Sequence, residues 1–393
     1  MSGHELALST LGAPASVSVR LNPFKTPSSP LPILQGAQAA PWCEYGYILK
    51  ERPVFTLHPL FHAGAYYVQD SSAMFVGHLL RGLLDNFGPG IRVLDLCAAP
   101  GGKTTDIAAS LRQRFGDDFL LVSNEVMRQR AGVLCDNVAI WGDPNVVVTS
   151  VDPKAFAAFG AYFDIIVADV PCSGEGMFRK DSRAVEEWSE EVVKLCAARQ
   201  RRILADVWPA LREGGMLIYS TCTFEEAEND DNLEWAAEEL GGEIIAPGQA
   251  PEGVRITRHG YMLVPGEVPG EGQWAGAMRK TSGAQCGATD ISRLHPLRSG
   301  VVKGEKKGDS FIPNADWALS IDFDRSAYPL FEVDKPTALK FLHRDSLALP
   351  EAPLGYIVLT YRGLPLGFVK NLGKRCNNLH PQGRRIRMNI DNI

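Results

Sequence analysis

Two cysteines of this chain follow apolar, strand-like runs and lie in polar turns. Cys172 belongs to the segment Asp169-Val-Pro-Cys-Ser-Gly-Glu-Gly176, and Cys222 belongs to Tyr219-Ser-Thr-Cys-Thr-Phe224. A lone cysteine is usually a small buried apolar residue. The Ser, Thr and Gly residues around these two thiols indicate reactive loops instead, because functional residues concentrate in loops that follow rigid elements.

A pair of thiols suits one particular reaction on a pyrimidine ring. Carbon 5 of cytosine is a poor nucleophile, but a thiolate that adds at carbon 6 makes the ring enamine-like, so that carbon 5 can attack a sulfonium methyl. A second ionisable group must then help to remove the carbon-5 proton before the thiolate can leave. The two turns therefore predict methylation through a covalent intermediate, and the residue types leave open which cysteine attacks.

A third strand-like run, Arg92–Leu96, leads into a loop of small residues that opens a helix. Small residues let a ligand approach the backbone closely, and a helix start offers free N–H groups to an anion. The spacing matches neither the phosphate-binding P-loop nor the dinucleotide motif G-x-G-x-x-G. The candidate cofactor residues of this loop are Cys97, Ala98, Ala99, Pro100, Gly101, Gly102 and Lys103.

Three acidic residues end further strand-like runs, namely Glu125, Asp152 and Asp169. Glu125 comes about 20 residues after the loop, where a carboxylate accepts hydrogen bonds from ribose hydroxyls in dinucleotide sites. A ligand with an adenosine, a ribose diol, an amino-acid tail and no phosphate fits this set. The sequence therefore predicts S-adenosyl-L-methionine as the cofactor, in preference to a tight turn without a ligand.

The composition is that of a soluble globular protein, with 393 residues of which 45% are apolar and 22% charged. No apolar run reaches transmembrane length, and the start lacks a secretory signal, so we expect no membrane partner. None of the eight cysteines has the spacing of a structural zinc site. His58 and His62 are four residues apart, but Pro59 and the lack of a third ligand favour a structural role. We expect a cytoplasmic monomer with free thiols and no metal.

The charge is unevenly distributed along the chain, although the net charge of −6 argues against a simple nucleic-acid binder. The segment from Leu366 to Arg387 holds several basic residues and no acidic one. We therefore expect any polyanion to meet one face only. The candidate residues for binding a nucleic acid there are Lys370, Lys374, Arg375, Arg384, Arg385 and Arg387.

Apolar runs alternate with longer amphipathic segments between residues 61 and 222, which predicts an α/β fold with a mostly parallel sheet covered by helices on both faces. A helix is expected over Glu190–Leu211, with a stop at Gly214-Gly215 and a strand over Met216–Ser220. All three motif loops follow strands. Ligands of such sheets lie at the carboxyl ends of the strands.

Four parts follow from the composition along the chain. Residues 1–60 form a Pro-rich N-terminal region, and 61–280 form the catalytic domain. Residues 281–294 read as a linker, and 295–393 read as a small β-rich domain because short apolar runs are separated by Gly and Pro.

The motifs together resemble the Sun family of RNA cytosine-C5 methyltransferases, especially its bacterial ribosomal-RNA branch typified by RsmF. The resemblance rests on Cys97–Thr104, on Pro-Cys-Ser-Gly-Glu-Gly-Met-Phe-Arg-Lys ending at Lys180, and on Ser-Thr-Cys-Thr-Phe ending at Phe224. It extends into the C-terminal segment through Gly363–Asn378, and so spans nearly the whole chain. The N-terminal stretch that precedes Ser-Val-Arg-Leu-Asn-Pro in the family is expected to be shortened here to residues 1–15.

The resemblance implies a Rossmann-like methyltransferase sheet and a PUA-like C-terminal domain that helps to grip RNA. It implies that Cys97–Lys103, Glu125, Asp152 and Asp169 contact S-adenosyl-L-methionine. It further implies that Cys222 is the nucleophile and that Cys172 assists product release. The implied substrate is ribosomal RNA, either free or within a small ribosomal subunit.

Three alternatives remain beside this reading. Transfer RNA could be the substrate of the same reaction. An adenine amino-methyltransferase is disfavoured, because Val-Pro-Cys stands where an Asp-Pro-Pro-Tyr motif would be expected. A non-catalytic RNA-binding factor for ribosome assembly is disfavoured as well, because a binding protein does not need the thiol of Cys222.

Overall fold

The N-terminal part of the chain forms a small sheet of its own. The structure, a computed structural model, describes residues 3–13, 15–180, 182–283 and 290–390. The sheet has the strand order β2-β3-β1-β4. The elements are α1 (Gly3–Ser9), β1 (Ser18–Leu21), β2 (Gln38–Ala40), β3 (Cys43–Ile48), α2 (Pro59–His62) and β4 (Tyr66–Val68).

The middle of the chain supplies most of the central sheet and the helices that cover it. Its first elements are α3 (Phe75–Leu83), β5 (Ile91–Asp95), α4 (Gly102–Phe115), β6 (Phe119–Asn124), α5 (Arg128–Trp141), β7 (Val146–Thr149) and β8 (Phe163–Asp169). They are followed by α6 (Ser182–Glu187), α7 (Glu190–Val207), β9 (Leu211–Thr221), α8 (Asp230–Leu240), β10 (Gly242–Ile245), β11 (Arg255–Ile256), β12 (Gly260–Leu263) and β13 (Gln273–Lys280).

Strands β5 to β9 are parallel to one another and lie in the order β9-β8-β5-β6-β7. The chain runs outward from β5 to β7 and then returns to β8 on the other side of β5. Ligands bind at such a reversal point, at the carboxyl ends of the strands. The predicted Rossmann-like fold is confirmed. The antiparallel strands β10 to β13 beyond β9 were not expected from the sequence.

The central sheet is covered on both faces, as its continuous apolar strands require. One apolar cluster joins Val93 and Ile165 to Leu80 of α3, Ile107 of α4 and Leu134 of α5. The other cluster packs the alternate strand residues against α7 and α8. Because neighbouring strand residues point to opposite faces, each strand contributes to both clusters.

The expected end of the long helix is wrong. The helix α7 ends at Val207, and β9 already begins at Leu211. Pro209 has no backbone N–H to donate to an α-helical bond, and a short 3-10 turn over Trp208–Ala210 follows the helix. Gly214 has a φ of 71° inside the strand, so the glycine pair lies in a bulge of β9 instead of ending the helix.

The C-terminal part forms a second small sheet in the order β17-β18-β19-β20, and its helix α9 packs against β18. The elements are β14 (Arg298–Ser299), β15 (Gly304–Lys307), β16 (Ser310–Pro313), β17 (Leu330–Glu332), α9 (Lys335–His343), β18 (Gly355–Tyr361), β19 (Leu364–Asn371) and β20 (Cys376–Asn378). Strand β14 pairs with β7 at the edge of the central sheet.

The N-terminal and C-terminal parts share one apolar core, in which Val19 and Leu60 lie with Phe341 and Ile357. The bounds of the four predicted parts stay predictions, and residues 284–289 of the expected linker 281–294 lie outside the described residues. In the part of the chain that is described, no helix is both long and apolar enough to cross a membrane.

Candidate active site

The two cysteines singled out by the sequence lie side by side. Their Sγ atoms are 3.2 Å apart, and both residues are partly buried. The sheet brings the two cysteines together, because β8 and β9 are parallel neighbours with Asp169 opposite Ser220. The turns that follow these strands therefore begin at the same edge of the sheet. Residues 50 positions apart in the sequence thus form one thiol pair.

The thiol of Cys172 is held in its neutral form. The hydrogen bond with Cys222 is the largest cause that raises the pKa of Cys172 well above its ordinary value, and burial raises it further. The negative charge of Glu228 acts in the same direction. A neutral Cys172 can therefore donate its S–H proton to Cys222.

A buried carboxylate lies behind the thiol pair. Glu228 is fully buried and accepts hydrogen bonds from the amide and the hydroxyl of Ser173, next to Cys172. Burial raises the pKa of Glu228 to about 7, although its bonds with Ser173 and Gln200 lower it. Nothing in the sequence indicates Gln200, which lies on α7.

The small-residue loop lies at the carboxyl end of β5, as predicted. Gly101 has a φ of 113°, a conformation that favours glycine, and the helix α4 begins directly after it. The peptide bond between Ala99 and Pro100 is cis. Tyr67 and Asn137 both donate to the carbonyl of Pro100, over 3.2 Å and 2.7 Å.

The N-terminal sheet supports this loop from behind. Arg20 of β1 is almost fully buried and donates to the carbonyl of Gly102 over 3.2 Å and to the hydroxyl of Thr105 over 2.5 Å. It also donates to Gln69 over 2.8 Å. An arginine fork of this kind fixes several acceptors at once. No pattern in the sequence indicates that Arg20 supports the cofactor loop.

An ion pair connects the cofactor loop to the cysteine loops. Lys103 Nζ lies 2.8 Å from Asp169 Oδ2, and Ser220 donates to Asp169 Oδ1 over 2.7 Å. Burial alone would lower the pKa of Lys103, but the charge of Asp169 outweighs it and the pKa is raised. Lys103 is therefore a cation beside the thiols.

The carboxylates around the loop fit a cationic ligand. Asp95 is fully buried, with one oxygen bound to Thr104 and the other without a hydrogen-bond partner in the described residues. Burial raises its pKa to about 7. Glu125 is also buried and accepts from the amide of Met127 over 2.9 Å. Small residues and acceptors at one point suit the sulfonium, the ammonium and the ribose of S-adenosyl-L-methionine.

Two predicted cofactor residues, Asp152 and Cys97, differ from the buried carboxylates Asp95 and Glu125. Asp152 is exposed and its side chain caps the short helix that follows, by accepting from the amide of Lys154. Burial raises the pKa of Cys97, so that its thiol is neutral.

Three family models match parts of this chain. The family model described as 16S rRNA methyltransferase RsmB/F matches residues 85–259. The model of the RsmF N-terminal domain matches residues 4–71, and that of the RsmF PUA domain matches residues 328–386.

The ribosomal RNA small subunit methyltransferase F of Klebsiella pneumoniae (strain 342) is 36% identical to the chain, over 87% of the chain and 83% of that relative. The chain belongs to the ribosomal RNA small subunit methyltransferase F family. Its relative in Pectobacterium atrosepticum is 40% identical over a shorter stretch, with 50% of this chain and 40% of that relative covered. The resemblance seen in the sequence is thereby confirmed.

Among solved structures, a methyltransferase homolog protein from Pyrococcus horikoshii has a TM-score of 0.58 and 25% identity, over 70% of this chain and 90% of that chain. Membership of the F family makes the protein an S-adenosyl-L-methionine-dependent methyltransferase of ribosomal RNA. The predicted PUA-like domain is confirmed as well.

The basic residues predicted to meet RNA fall into two groups in this F-family chain. Lys374, Arg375, Arg385 and Arg387 are exposed. Lys370 is partly buried over the ring of Tyr356. The side chain of Arg384 is only 8% exposed, and it pairs with Asp316 and lies 3.7 Å from Asp136. Its charge is therefore neutralised within the protein.

The two histidines near residue 60 have structural partners. His58 Nδ1 lies 3.0 Å from the hydroxyl of Tyr66, and His62 Nε2 lies 2.9 Å from the carbonyl of Thr56. No cluster of three or more metal-ligating side chains occurs among the residues that the structure describes.

Proposed function

We propose that this protein is an RNA (cytosine-5-)-methyltransferase that acts on small-subunit ribosomal RNA through a covalent bond between Cys222 and carbon 6 of the target base, with Cys172 assisting release. The single observation that supports this most is the 3.2 Å separation of the two sulfurs beside the cofactor loop. A binding protein has no need of such a pair.

Each thiol has a distinct task in the proposed reaction. The thiolate of Cys222 adds to carbon 6, and the neutral S–H of Cys172 favours that thiolate by donating to it beforehand. Once the sulfur of Cys222 is bonded to carbon 6, its charge is lost. The hydrogen bond that is the largest cause of the raised pKa of Cys172 then ends. Cys172 can now release its own proton to solvent and, as a thiolate, take up the carbon-5 proton. The electron pair of that C–H bond forms the double bond between carbons 5 and 6 and expels the thiolate of Cys222.

The cofactor loop keeps the reacting groups together. When bound, S-adenosyl-L-methionine supplies an electrophilic methyl group for carbon 5. The residues proposed to hold it are Cys97–Lys103, with Glu125 at the ribose and Asp169 at the point where the cofactor and base sites meet. Asp152 and Asp95 would lie at the edges of the same site.

RNA reaches this site only if the target base leaves its stack, as in other enzymes that modify bases. The exposed basic residues of the C-terminal part, Lys374, Arg375, Arg385 and Arg387, are proposed to hold the phosphate backbone meanwhile. The reaction on ribosomal RNA would take place in the cytoplasm, where thiols stay reduced.

Replacement of each thiol tests the mechanism. We expect Cys222→Ser to abolish methyl transfer while S-adenosyl-L-methionine still binds, and Cys172→Ser to accumulate a protein–RNA species that resists denaturation. Cys135→Ser is the matched control, since Cys135 lies on α5 outside the site. Normal methylation by Cys222→Ser would show that the assigned roles are wrong.

The substrate is tested separately by bisulfite sequencing of RNA from cells with and without this protein. We expect a 5-methylcytosine in small-subunit ribosomal RNA to disappear when the protein is absent. Loss of the mark from transfer RNA instead would replace the substrate but keep the reaction. An unchanged pattern in both RNAs would favour the non-catalytic RNA-binding alternative.

A further inference from the structure

Gln200 and Glu228 hold the backbone on both sides of Cys172 by hydrogen bonds, and we call this pair of residues the grip. Gln200 Nε2 donates to the carbonyl of Pro171 over 2.9 Å and to Glu228 Oε2 over 2.7 Å. The amide of Ser173 donates to Glu228 Oε2 over 3.1 Å, and its hydroxyl donates to Glu228 Oε1. The residues before and after Cys172 are thus joined through one glutamine and one carboxylate.

Glu228 and Gln200 are themselves held in place by hydrogen bonds within the core. Glu228 and Gln200 are both fully buried. The carbonyl of Glu228 accepts from the hydroxyl of Tyr219 over 2.5 Å, and Gln200 Oε1 accepts from Asn232 over 2.7 Å. These partners come from α7, α8 and the end of β9, so the position of the Cys172 loop is set by the packed core.

Cys222 is positioned by other contacts. Its carbonyl accepts from the amide of Gly176 over 2.7 Å, and the preceding residue, Thr221, bonds to Asn229 and to Gln273. None of these bonds uses the side chain of Glu228 or Gln200; a link to the grip is the hydroxyl of Ser173, which also lies 3.1 Å from the hydroxyl of Thr223. A change in the grip should therefore disturb Cys172 more than Cys222.

We infer that Glu228 and Gln200 are a positioning pair for Cys172 that serves product release in particular. The inference rests on the proposed roles of the two thiols. Glu228 does not touch the base; it acts by holding the backbone on each side of the sulfur that must meet the carbon-5 proton. A carboxylate suits this place because both of its oxygens accept, and the grip supplies donors to both.

A glutamine in place of Glu228 keeps the shape but spoils the grip. Its amide nitrogen can only donate, so one of the donors from Ser173 or Gln200 loses its acceptor. We expect Glu228→Gln to transfer the methyl group at a rate within about threefold of the wild type and to retain the RNA in a covalent adduct at least about tenfold more than the wild type, because misplacing a catalytic group costs rate steeply.

The experiment is a single turnover with radiolabelled S-adenosyl-L-methionine and a ribosomal RNA substrate. It measures label in the RNA and, in the same samples, the fraction of RNA that stays on the protein in denaturing gels. Glu175→Gln is the matched control. Glu175 is also a buried carboxylate, but of Ser173 it contacts only the hydroxyl and not the backbone amide. We expect no adduct from it.

The ratio of adduct to methyl transfer decides between positioning and mere support of the fold. A purely structural role would slow methyl transfer and product release by the same factor, and that result would overturn the inference. An equal amount of adduct from Glu175→Gln would overturn it as well. If Glu228→Gln does not fold, Gln200→Leu gives the same test, with adduct expected because the bond to Pro171 is lost.

The same gels contain Cys172→Ser, which separates the two proposals. Adduct from Cys172→Ser but not from Glu228→Gln or Gln200→Leu would overturn the inference and leave the proposed function standing. Absence of adduct from Cys172→Ser as well would overturn both.

Discussion

The amide of Gly176 donates to the carbonyl of Cys222 over 2.7 Å, so the backbones of the two cysteine loops are hydrogen-bonded to each other. A side chain at position 176 would have no space. A Cβ atom there would lie 2.7 Å from the carbonyl oxygens of both Cys222 and Gly272. This close approach explains why a glycine follows Cys172 by four residues.

Gly176→Ala should therefore separate the two loops. The atoms that the new methyl group meets are backbone atoms, which cannot turn aside as a flexible side chain can. We expect the rate of methyl transfer to fall by roughly 100-fold, because a shift of reacting groups by about 1 Å lowers a rate by about that factor. Single-turnover rates at saturating cofactor measure the effect.

Gly132→Ala is the control for this substitution. Gly132 lies in α5 with no atom within 4 Å of the added Cβ, and alanine favours a helix by about 1 kcal/mol over glycine. It should leave the rate unchanged. A wild-type rate for Gly176→Ala would show that the tight contact is not needed for catalysis.

Glu125 and Asp152 should differ in their effect on cofactor affinity. Glu125 is buried, and Glu125→Gln removes one of two acceptor oxygens from the proposed ribose site. We expect S-adenosyl-L-methionine to bind about tenfold to a hundredfold more weakly, since a hydrogen bond to a charged group contributes about 1.5–3 kcal/mol. Titration calorimetry without RNA provides the measurement.

Asp152→Asn is the matched change from acid to amide. Asparagine keeps an acceptor oxygen and caps a helix as well as aspartate does, and Asp152 is exposed. The affinity of Asp152→Asn for S-adenosyl-L-methionine should stay within about threefold of the wild-type affinity. Equal losses from the two variants would contradict a special role for Glu125 at the ribose.

The exposed basic residues should contribute to RNA affinity through charge. Replacement of Lys374, Arg375, Arg385 and Arg387 by Gln should weaken binding and lower the slope of log affinity against log salt by up to about 3, since each released counterion contributes about 0.7–0.9. Fluorescence anisotropy with a ribosomal RNA fragment, from about 50 to 200 mM salt, measures both quantities.

Arg384→Gln provides the contrast, because Arg384 already pairs with Asp316 inside the protein. It should lower the thermal stability and leave the salt slope unchanged. A slope unaffected by the fourfold replacement would mean that RNA meets another face.

Acid should weaken the C-terminal part through His380. Burial lowers the pKa of His380 from 6.5 to about 4, and the charge of Arg384 opposes protonation too. The folded protein therefore binds fewer protons than the unfolded chain between these values. The stability that a neutral His380 provides is complete above pH 6.5 and is lost as the pH falls towards 4.

Urea unfolding of the wild type and of His380→Gln at about pH 7.5 and about pH 5.5 tests this. The free energy of unfolding of the wild type should fall by about 1 kcal/mol more than that of the variant over this range. Parallel losses would show that other groups carry the acid sensitivity.

Much of the architecture follows from local patterns in the sequence. Continuous apolar runs predicted parallel strands, and the loops after β5, β8 and β9 carry the motifs. Because parallel strands end at the same edge, the order of the elements suffices to bring Cys97, Cys172 and Cys222 to one side of the sheet. The cofactor was predictable for that reason, and the thiol chemistry stays a proposal.

Distances between residues far apart in the sequence were decided only by tertiary packing. The separation of the sulfurs, the grip of Gln200 on Pro171 and the support of Gly102 by Arg20 depend on which helices and sheets meet. Local patterns do not encode such contacts. A sequence shows charge and residue type, but whether a basic residue such as Arg384 faces solvent or a buried acid is settled when the chain packs.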